Sequence, residues 1–159
     1  MAAPFNSPLE TGVRSLAILT ALFPKTVDLQ HLVDFDYLVV HSGDAGGPES
    51  LHAPLPLRSG ELLVRRGLIE TGILLMISRG LVERITSASG FGYRATESAA
   101  AFLSALGAPY SMRLKDRASW VAATFGNATH AELRTVTRRF FDEWSIQFQP
   151  VESTGDPAP

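Results

Sequence analysis

Three histidines and one aspartate in the first half of the chain carry the side chains best suited to metal chemistry. His31, His41, Asp44 and His52 supply imidazole and carboxylate groups, which zinc and iron use as ligands in proteins. Their spacing matches no compact ligand motif, and the sequence contains neither cysteine nor HExxH. We therefore expect structural or surface roles for these four groups, with no metal site and no catalytic site.

A carboxylate pair and a glycine-rich segment are the remaining candidates for catalysis or phosphate binding. Asp34 and Asp36 are two residues apart in a predicted helix, so they point to different faces and do not form a dyad. One of them is expected to contact the pair Arg65 and Arg66. Residues 43–47, GDAGG, lack the lysine and hydroxyl of a phosphate loop and are interpreted as a turn.

Arginines on and beside the third predicted helix are candidates for DNA contact. Arg58, Arg79 and Arg84 accompany the helix that enters the major groove in winged-helix DNA readers. However, the middle of this helix, IETGILLMI, is apolar, and the formal net charge is −2. Both features argue against a strong nucleic-acid binder, so a solvated or ion-paired face is favoured, and contact with double-stranded DNA inside a larger complex stays open.

Cap residues and helical spacing predict three helices in the first half of the chain. The first covers residues 8–23 behind a Ser-Pro capping signal, and the second covers 29–41 behind Asp28. The third covers roughly 58–79 and ends at Gly80. Because the second helix is apolar on nearly every side, we expect it to lie at the centre of the fold.

Loop and hairpin signals fill the intervals between these helices. Residues 42–56 hold three Gly and three Pro and predict a long loop, which favours a functional role. The runs LVERITS and FGYRAT, separated by Ala88-Ser89-Gly90, fit a small hairpin. Thr96 is predicted to cap the next helix, and two further helices should cover about 110–125 and 129–148.

These elements predict a mainly α fold with a small β-hairpin, arranged as a winged helix-turn-helix with a C-terminal helical extension. The winged-helix domain is assigned to residues 1–107, the extension that packs on it to 108–149, and a disordered, Pro-rich tail to 150–159. No apolar run approaches the ~18 residues of a membrane-spanning helix. We expect a cytoplasmic protein that has no membrane partner.

Long strings of the sequence resemble the middle component of ABC-three-component systems, of the second middle-component class. They are PFNSPLETGVRSL, VVHSGDAGGPESLH, GELLVRRGLI and GFGYRAT, and the likeness runs from Pro4 to about Phe125. The resemblance implies a Lamassu-type anti-phage or anti-plasmid defence complex of three proteins. The other two would be an SMC/Rad50-like ABC ATPase, which would hold ATP and magnesium, and an effector nuclease or toxin. The resemblance supplies no catalytic residues and no cofactor for this chain.

The resulting functional hypothesis is a non-catalytic winged-helix adaptor that bridges the ATPase and the effector. The loop 42–56 and the start of the third helix are expected to contact the partner through His41, Asp44, Arg65 and Arg66. Charge reversal at both arginines should weaken assembly and leave the isolated fold intact. A stand-alone winged-helix transcription regulator is the alternative, and a metal hydrolase that uses the histidines is a third, less favoured reading.

Aromatic residues of the last predicted helix form a second candidate surface. Phe140, Trp144 and Phe148 are four residues apart, so they share one helix face suited to a groove on another subunit. We expect Trp144→Ala to cost ~2 kcal/mol or more in association, with little effect on the melting of the monomer.

Overall fold

The computed structural model describes the backbone of residues 7–52 and 61–148 and the side chains of 7–52 and 64–139. The described residues confirm the mainly helical fold with one hairpin, in the order α1 (Pro8–Ala21), α2 (Leu29–Val40), a 3-10 turn (Ser42–Ala45), α3 (Glu61–Ser78), β1 (Val82–Ser87), β2 (Gly90–Ala95), α4 (Ala99–Ala105), α5 (Pro109–Phe125) and α6 (His130–Phe148). None of the described helices has the length and apolarity needed to cross a membrane. The predicted tail, 150–159, and loop residues 53–56 lie outside the described residues.

Side-chain caps start the first two helices at the predicted positions. The Ser7 hydroxyl accepts a hydrogen bond from the backbone N–H of Glu10 at 3.2 Å, and Pro8 takes the first helical position. The Asp28 carboxylate accepts one from the backbone N–H of His31 at 2.8 Å. These caps satisfy backbone donors that lack a partner inside the helix.

Helix α2 lies at the centre of the core. Every residue from Leu32 to Val40 is buried, which confirms the prediction made from its all-round apolar pattern. Helices α1, α3, α5 and α6 all pack against it. Leu114 and Val121 of α5 and Leu133 of α6 therefore join the same apolar cluster as the first three helices.

Glycines allow α1 and α3 to approach closely. A Cβ atom added to Gly72 would lie 2.6 Å from the backbone nitrogen of Gly12, a distance that real Cβ atoms do not reach. By contrast, a Cβ added to Gly67, five residues earlier on α3, would meet nothing within 4 Å. Gly72 thus allows the close packing of α1 against α3.

The hairpin is attached to the helical core at both of its ends and along one edge. Strands β1 and β2 pair antiparallel from Val82 opposite Ala95 to the turn at Gly90, whose φ of 122° suits glycine. On the free side of β2, Tyr93 exchanges two backbone hydrogen bonds with Val27, at 2.9 and 2.7 Å. This bridge joins the α1–α2 connection to the hairpin.

The start of α4 differs from the sequence-based expectation. Thr96 does not cap this helix, because its hydroxyl donates a hydrogen bond to the carbonyl of Gly80 at 2.7 Å. The helix begins at Ala99, and its N-cap residue Ser98 makes no side-chain cap hydrogen bond. Thr96 instead ties the end of the hairpin to the turn that follows α3.

Candidate partner-binding surface

Four of the predicted contact residues lie at the protein surface. Asp44 is exposed in the 3-10 turn, and Arg79 is exposed at the end of α3. The exposed Arg66 donates a hydrogen bond from Nη1 to Oε1 of Gln30 at 3.1 Å. The exposed Arg84 places its guanidinium 4.1 Å from the ring centroid of Phe91. These groups do not form one compact set.

Other predicted contact residues fall where the structure gives no side-chain information. Arg58 lies outside the described residues. The backbone positions of Phe140, Trp144 and Phe148 belong to α6, whereas their side chains are outside the described part.

Arg65 belongs to a buried ion cluster and not to an open surface. Its Nη1 lies 2.6 Å from Oδ2 of Asp36, and the Nε of Arg14 lies 2.9 Å from Oδ1 of the same carboxylate. Asp36 is 0% exposed and Arg14 is 2% exposed. Burial would raise the pKa of Asp36, but the two guanidinium groups hold it below its usual value.

This cluster confirms one expectation and corrects another. An aspartate of α2 does contact the arginine pair of α3, as predicted, and that residue is Asp36. The premise that Arg65 is a surface group without a structural role is wrong, and we expect a glutamate there to destabilise the fold, because it would face a buried carboxylate. Arg66, one residue further along α3, is the arginine that can be changed without disturbing the core.

His41 is also part of the interior and is withdrawn from the candidate surface. It is 4% exposed, and its ring lies 4.8 Å from the ring of Tyr37. Burial, followed by the positive charge of Arg65, lowers the pKa of His41 to about 3. A helix-terminal histidine before a glycine-rich loop suggested a surface position, but α2 stays buried up to its last turn.

The first part of the predicted loop is folded onto α5. The Arg117 side chain donates a hydrogen bond from Nε to the carbonyl of Glu49 at 2.9 Å. The backbone of Gly47 lies against the indole of Trp120, where a Cβ atom would overlap the ring. His52 Nε2 lies 3.1 Å from the hydroxyl of Tyr110. Residues 42–52 are therefore held by contacts within the chain.

A cleft of about 490 Å³ lies between the outer face of α3, the hairpin and the N-terminal ends of α2 and α6. We call it the α3–hairpin cleft. Its lining combines charged and apolar side chains: Asp28, Leu29, Gln30, Arg66, Glu70, Leu74, Arg84, Phe91, Tyr93 and His130. Among them, Leu74 is 63% exposed and Phe91 is 52% exposed. Such exposed apolar side chains beside charged ones are typical of protein-binding surfaces.

Sequence reasoning did not single out the apolar members of this cleft or its histidine. Leu74 lies inside the string IETGILLMI, where six of the nine residues are Ile, Leu or Met, and this composition is typical of a buried segment. Phe91 shares its strand face with the buried Tyr93 and Ala95, so the alternation of the hairpin indicates an inward-facing side chain, and its exposure follows from its place beside the turn. His130 carried no signal, because its neighbours in space are about 100 residues away in sequence.

Comparison with known proteins places the chain in a family. A family model described as ABC-three component (ABC-3C) system Middle Component 2 matches residues 4–147. Neither a curated protein nor a solved structure matches the chain. The match covers the core helices and most of α6. It agrees with the family resemblance carried by the sequence strings quoted above. The chain belongs to the Middle Component 2 family of ABC-three component systems.

Proposed function

We propose that the protein is a non-catalytic winged-helix adaptor of an anti-phage or anti-plasmid defence complex. In this complex it bridges an SMC/Rad50-like ABC ATPase and a nuclease or other effector. Membership in a family of middle components supports a role beside other subunits. ATP and magnesium belong to the ATPase in this proposal, and the adaptor contributes binding surfaces and no chemistry of its own.

The winged helix-turn-helix assignment has support from the order of the elements. Three helices precede a hairpin, and the hairpin packs beside α3, the helix that a winged-helix protein presents to its target. The bridge between Val27 and Tyr93 adds the α1–α2 connection to the edge of the hairpin. The three helices thus share one core with a short sheet at its side.

The observation that carries the proposal is the character of the α3–hairpin cleft. In the cleft, Leu74 is 63% exposed and Phe91 is 52% exposed. Val64 is also on α3, outside the lining of the cleft, and is 65% exposed. The nearby cations already have local contacts, because Arg66 bonds Gln30 and Arg84 covers the ring of Phe91. Apolar side chains gain more from burial against a protein than from contact with a phosphate backbone. We therefore assign this cleft to docking on the ATPase.

Leu74→Asp tests the assignment. It places a charge in the centre of the proposed contact, and we expect at least a roughly tenfold loss of affinity for the proposed ATPase partner, which corresponds to about 1.4 kcal/mol. Because Leu74 is 63% exposed, the isolated variant should keep its melting temperature.

Met112→Asp is the matched control. Met112 is also 63% exposed, but it lies on α5 and does not line the cleft. Equal affinities of the Leu74→Asp variant and the wild type, measured on purified proteins, would contradict docking through the cleft. Equal losses in both variants would point to a non-specific effect of charge and would also contradict it.

A stand-alone winged-helix transcription regulator is the second candidate function. It has one observation in its favour, since Arg66 and Arg84 line the same cleft and Arg79 is exposed just after the end of α3. A regulator of this kind should dimerise and bind duplex DNA by itself with a steep dependence on salt. An adaptor should bind its neighbouring subunits and have little affinity for DNA alone.

A further inference from the structure

Two histidines and one aspartate converge at one end of the α3–hairpin cleft. Asp28, the N-cap residue of α2, places Oδ1 3.0 Å from Nδ1 of His31. Its second oxygen, Oδ2, lies 2.9 Å from Nε2 of His130, the first residue of α6. The two imidazole rings contact each other edge to face, with their centroids 3.9 Å apart. The cluster therefore joins two helices that are about 100 residues apart in sequence.

The spacing of these three side chains fits a tetrahedral metal ion. One nitrogen or oxygen of each residue lies within 4.8 Å of the other two. Zinc bonds to imidazole nitrogen and carboxylate oxygen at ~2.0–2.2 Å, so tetrahedral ligand atoms are about 3.4 Å apart. His31 Nδ1 and His130 Nε2 lie 3.0 and 2.9 Å from Oδ1 and Oδ2 of Asp28, respectively, so a shared ion requires an outward movement of these side chains. The His130 side chain is 45% exposed and has room for it.

The second nitrogen of His31 is oriented as in a metal-ligating histidine. Its Nε2 lies 3.0 Å from the carbonyl oxygen of Ala128, and because a carbonyl only accepts hydrogen bonds, Nε2 carries the proton. A backbone carbonyl in this position fixes the ring and directs the other nitrogen toward the metal. In the neutral ring the lone pair of Nδ1 then faces the carboxylate of Asp28, which also offers only lone pairs. A proton on Nδ1 or a metal ion between these acceptors removes the repulsion.

We propose that Asp28, His31 and His130 bind a divalent transition-metal ion of the zinc type. Two imidazoles and one carboxylate favour such an ion over calcium or magnesium, which prefer all-oxygen ligands. Asp28 and His130 also line the cleft, so the fourth coordination position opens toward it. The ion would fix the start of α6 to the start of α2 and leave one position for water or for a group of a docked partner.

The proposal departs from the sequence-based expectation that the chain holds no metal. That expectation considered His31 together with His41, Asp44 and His52. None of these last three residues belongs to the cluster of Asp28, His31 and His130. His41 is buried beside Tyr37, and His52 contacts Tyr110. Among the side chains that the structure describes, Asp28, His31 and His130 form the single group of three or more His, Asp or Glu with ligand-like spacing.

Metal binding by the full-length, tag-free protein tests the site. We expect one equivalent of Zn²⁺ to bind with Kd of about 10 µM or tighter in calorimetry, and Co²⁺ to give the absorption bands of a tetrahedral complex. His130→Gln keeps a hydrogen-bond donor near Asp28, and Asp28→Asn keeps a good N-cap for α2. Each change removes one ligand, so each should weaken Zn²⁺ binding by at least about tenfold and change or abolish the Co²⁺ bands.

His52→Gln is the control, because it removes a histidine that lies outside the cluster. It should leave Zn²⁺ affinity unchanged. A wild-type Kd for Zn²⁺ weaker than about 10 µM, or equal affinities of the wild type and His130→Gln, would overturn the proposal. A loss in His52→Gln equal to that in His130→Gln would overturn it as well.

Thermal unfolding gives a second readout that does not depend on partner binding. Zn²⁺ that binds the folded protein should raise the wild-type melting temperature with increasing free metal and should raise that of His130→Gln much less. If Asp28→Asn does not fold, His130→Gln still decides the question, because His130 is half exposed at the first position of α6. The outcome is independent of whether the cleft docks the ATPase.

Discussion

Asp36 connects three helices through its two carboxylate oxygens. Arg14 of α1 and Arg65 of α3 each pair with one oxygen, and the guanidinium of Arg65 also lies 5.7 Å from the ring centroid of Tyr37. A buried carboxylate between two guanidinium groups is strongly directional, because each pair has only a narrow range of favourable geometries. The cluster therefore fixes how α1 and α3 are rotated against α2.

Asp36→Asn tests this function at the residue scale. The change keeps the volume of the side chain but removes its charge, and it leaves the buried Arg14 beside a neutral amide. We expect the free energy of unfolding to fall by about 3 kcal/mol, measured by denaturant titration. Arg66→Ala, at the exposed neighbour of Arg65, should change it by about 0.5 kcal/mol or less. Similar values for the two variants would contradict a structural ion cluster.

Two histidines near this cluster predict a dependence of stability on pH. Burial, followed by nearby positive charge from Arg65 or Arg14, lowers the pKa of His41 to about 3 and that of His52 to about 4. Both rings are neutral in the folded protein, whereas both titrate near 6.5 in the unfolded chain. The unfolded state thus binds more protons below pH 6.5, and the free energy of unfolding should decrease as the pH falls from 6.5 toward 4.

Denaturant titrations between pH 7 and pH 4.5 measure this dependence. His52→Gln should reduce the number of protons taken up on unfolding by about one near pH 5. The comparison with the wild type is needed because burial raises the pKa of Asp34, which acts in the opposite direction. Identical pH dependence in the two proteins would show that His52 titrates normally in the folded state.

At the scale of elements, the contact between α1 and α3 depends on the absence of two side chains. Gly72→Ala would bring a methyl group against the backbone of Gly12 and force the helices apart. We expect a loss of ~1–3 kcal/mol in stability, the range for overpacked interiors. Gly67→Ala, in the same helix but with open space around the new methyl group, should stabilise by ~0.5–1 kcal/mol through helix propensity. Melting temperatures that shift in the same direction would contradict this account.

The helices, their caps and the hairpin could be predicted because their signals are local. Ser7 and Asp28 cap the helices that they precede, and Gly80 follows the end of α3 with a φ of 71°. Tertiary contacts could not be predicted in this way. The local sequence predicts Thr96 as the cap of α4, but its hydroxyl donates a hydrogen bond to the carbonyl of Gly80, which precedes the hairpin. For the same reason nothing local distinguishes Arg65, which pairs with a buried carboxylate, from the exposed Arg66.

At the scale of the whole molecule, charge argues against independent DNA binding. The formal net charge is −2, and Glu70 lies in the α3–hairpin cleft beside the arginines. Contact of Arg66, Arg79 and Arg84 with phosphates would release few counterions. We expect Kd for a short duplex to be ~1 µM or weaker at physiological salt, with a log–log salt slope no steeper than about −3, measured by fluorescence anisotropy. Nanomolar affinity with a slope near −6 or steeper would instead favour the transcription regulator.

The packing of Gly47 on Trp120 provides the molecule with its own optical reporter. The chain contains two tryptophans, so Trp144→Phe leaves the Trp120 indole as the single tryptophan fluorophore. The ring is half-buried beneath residues 42–52, and its emission depends on how much water reaches it. A red shift when another subunit is added would show that this segment has left α5. An unchanged spectrum would mean that it stays closed while the complex assembles.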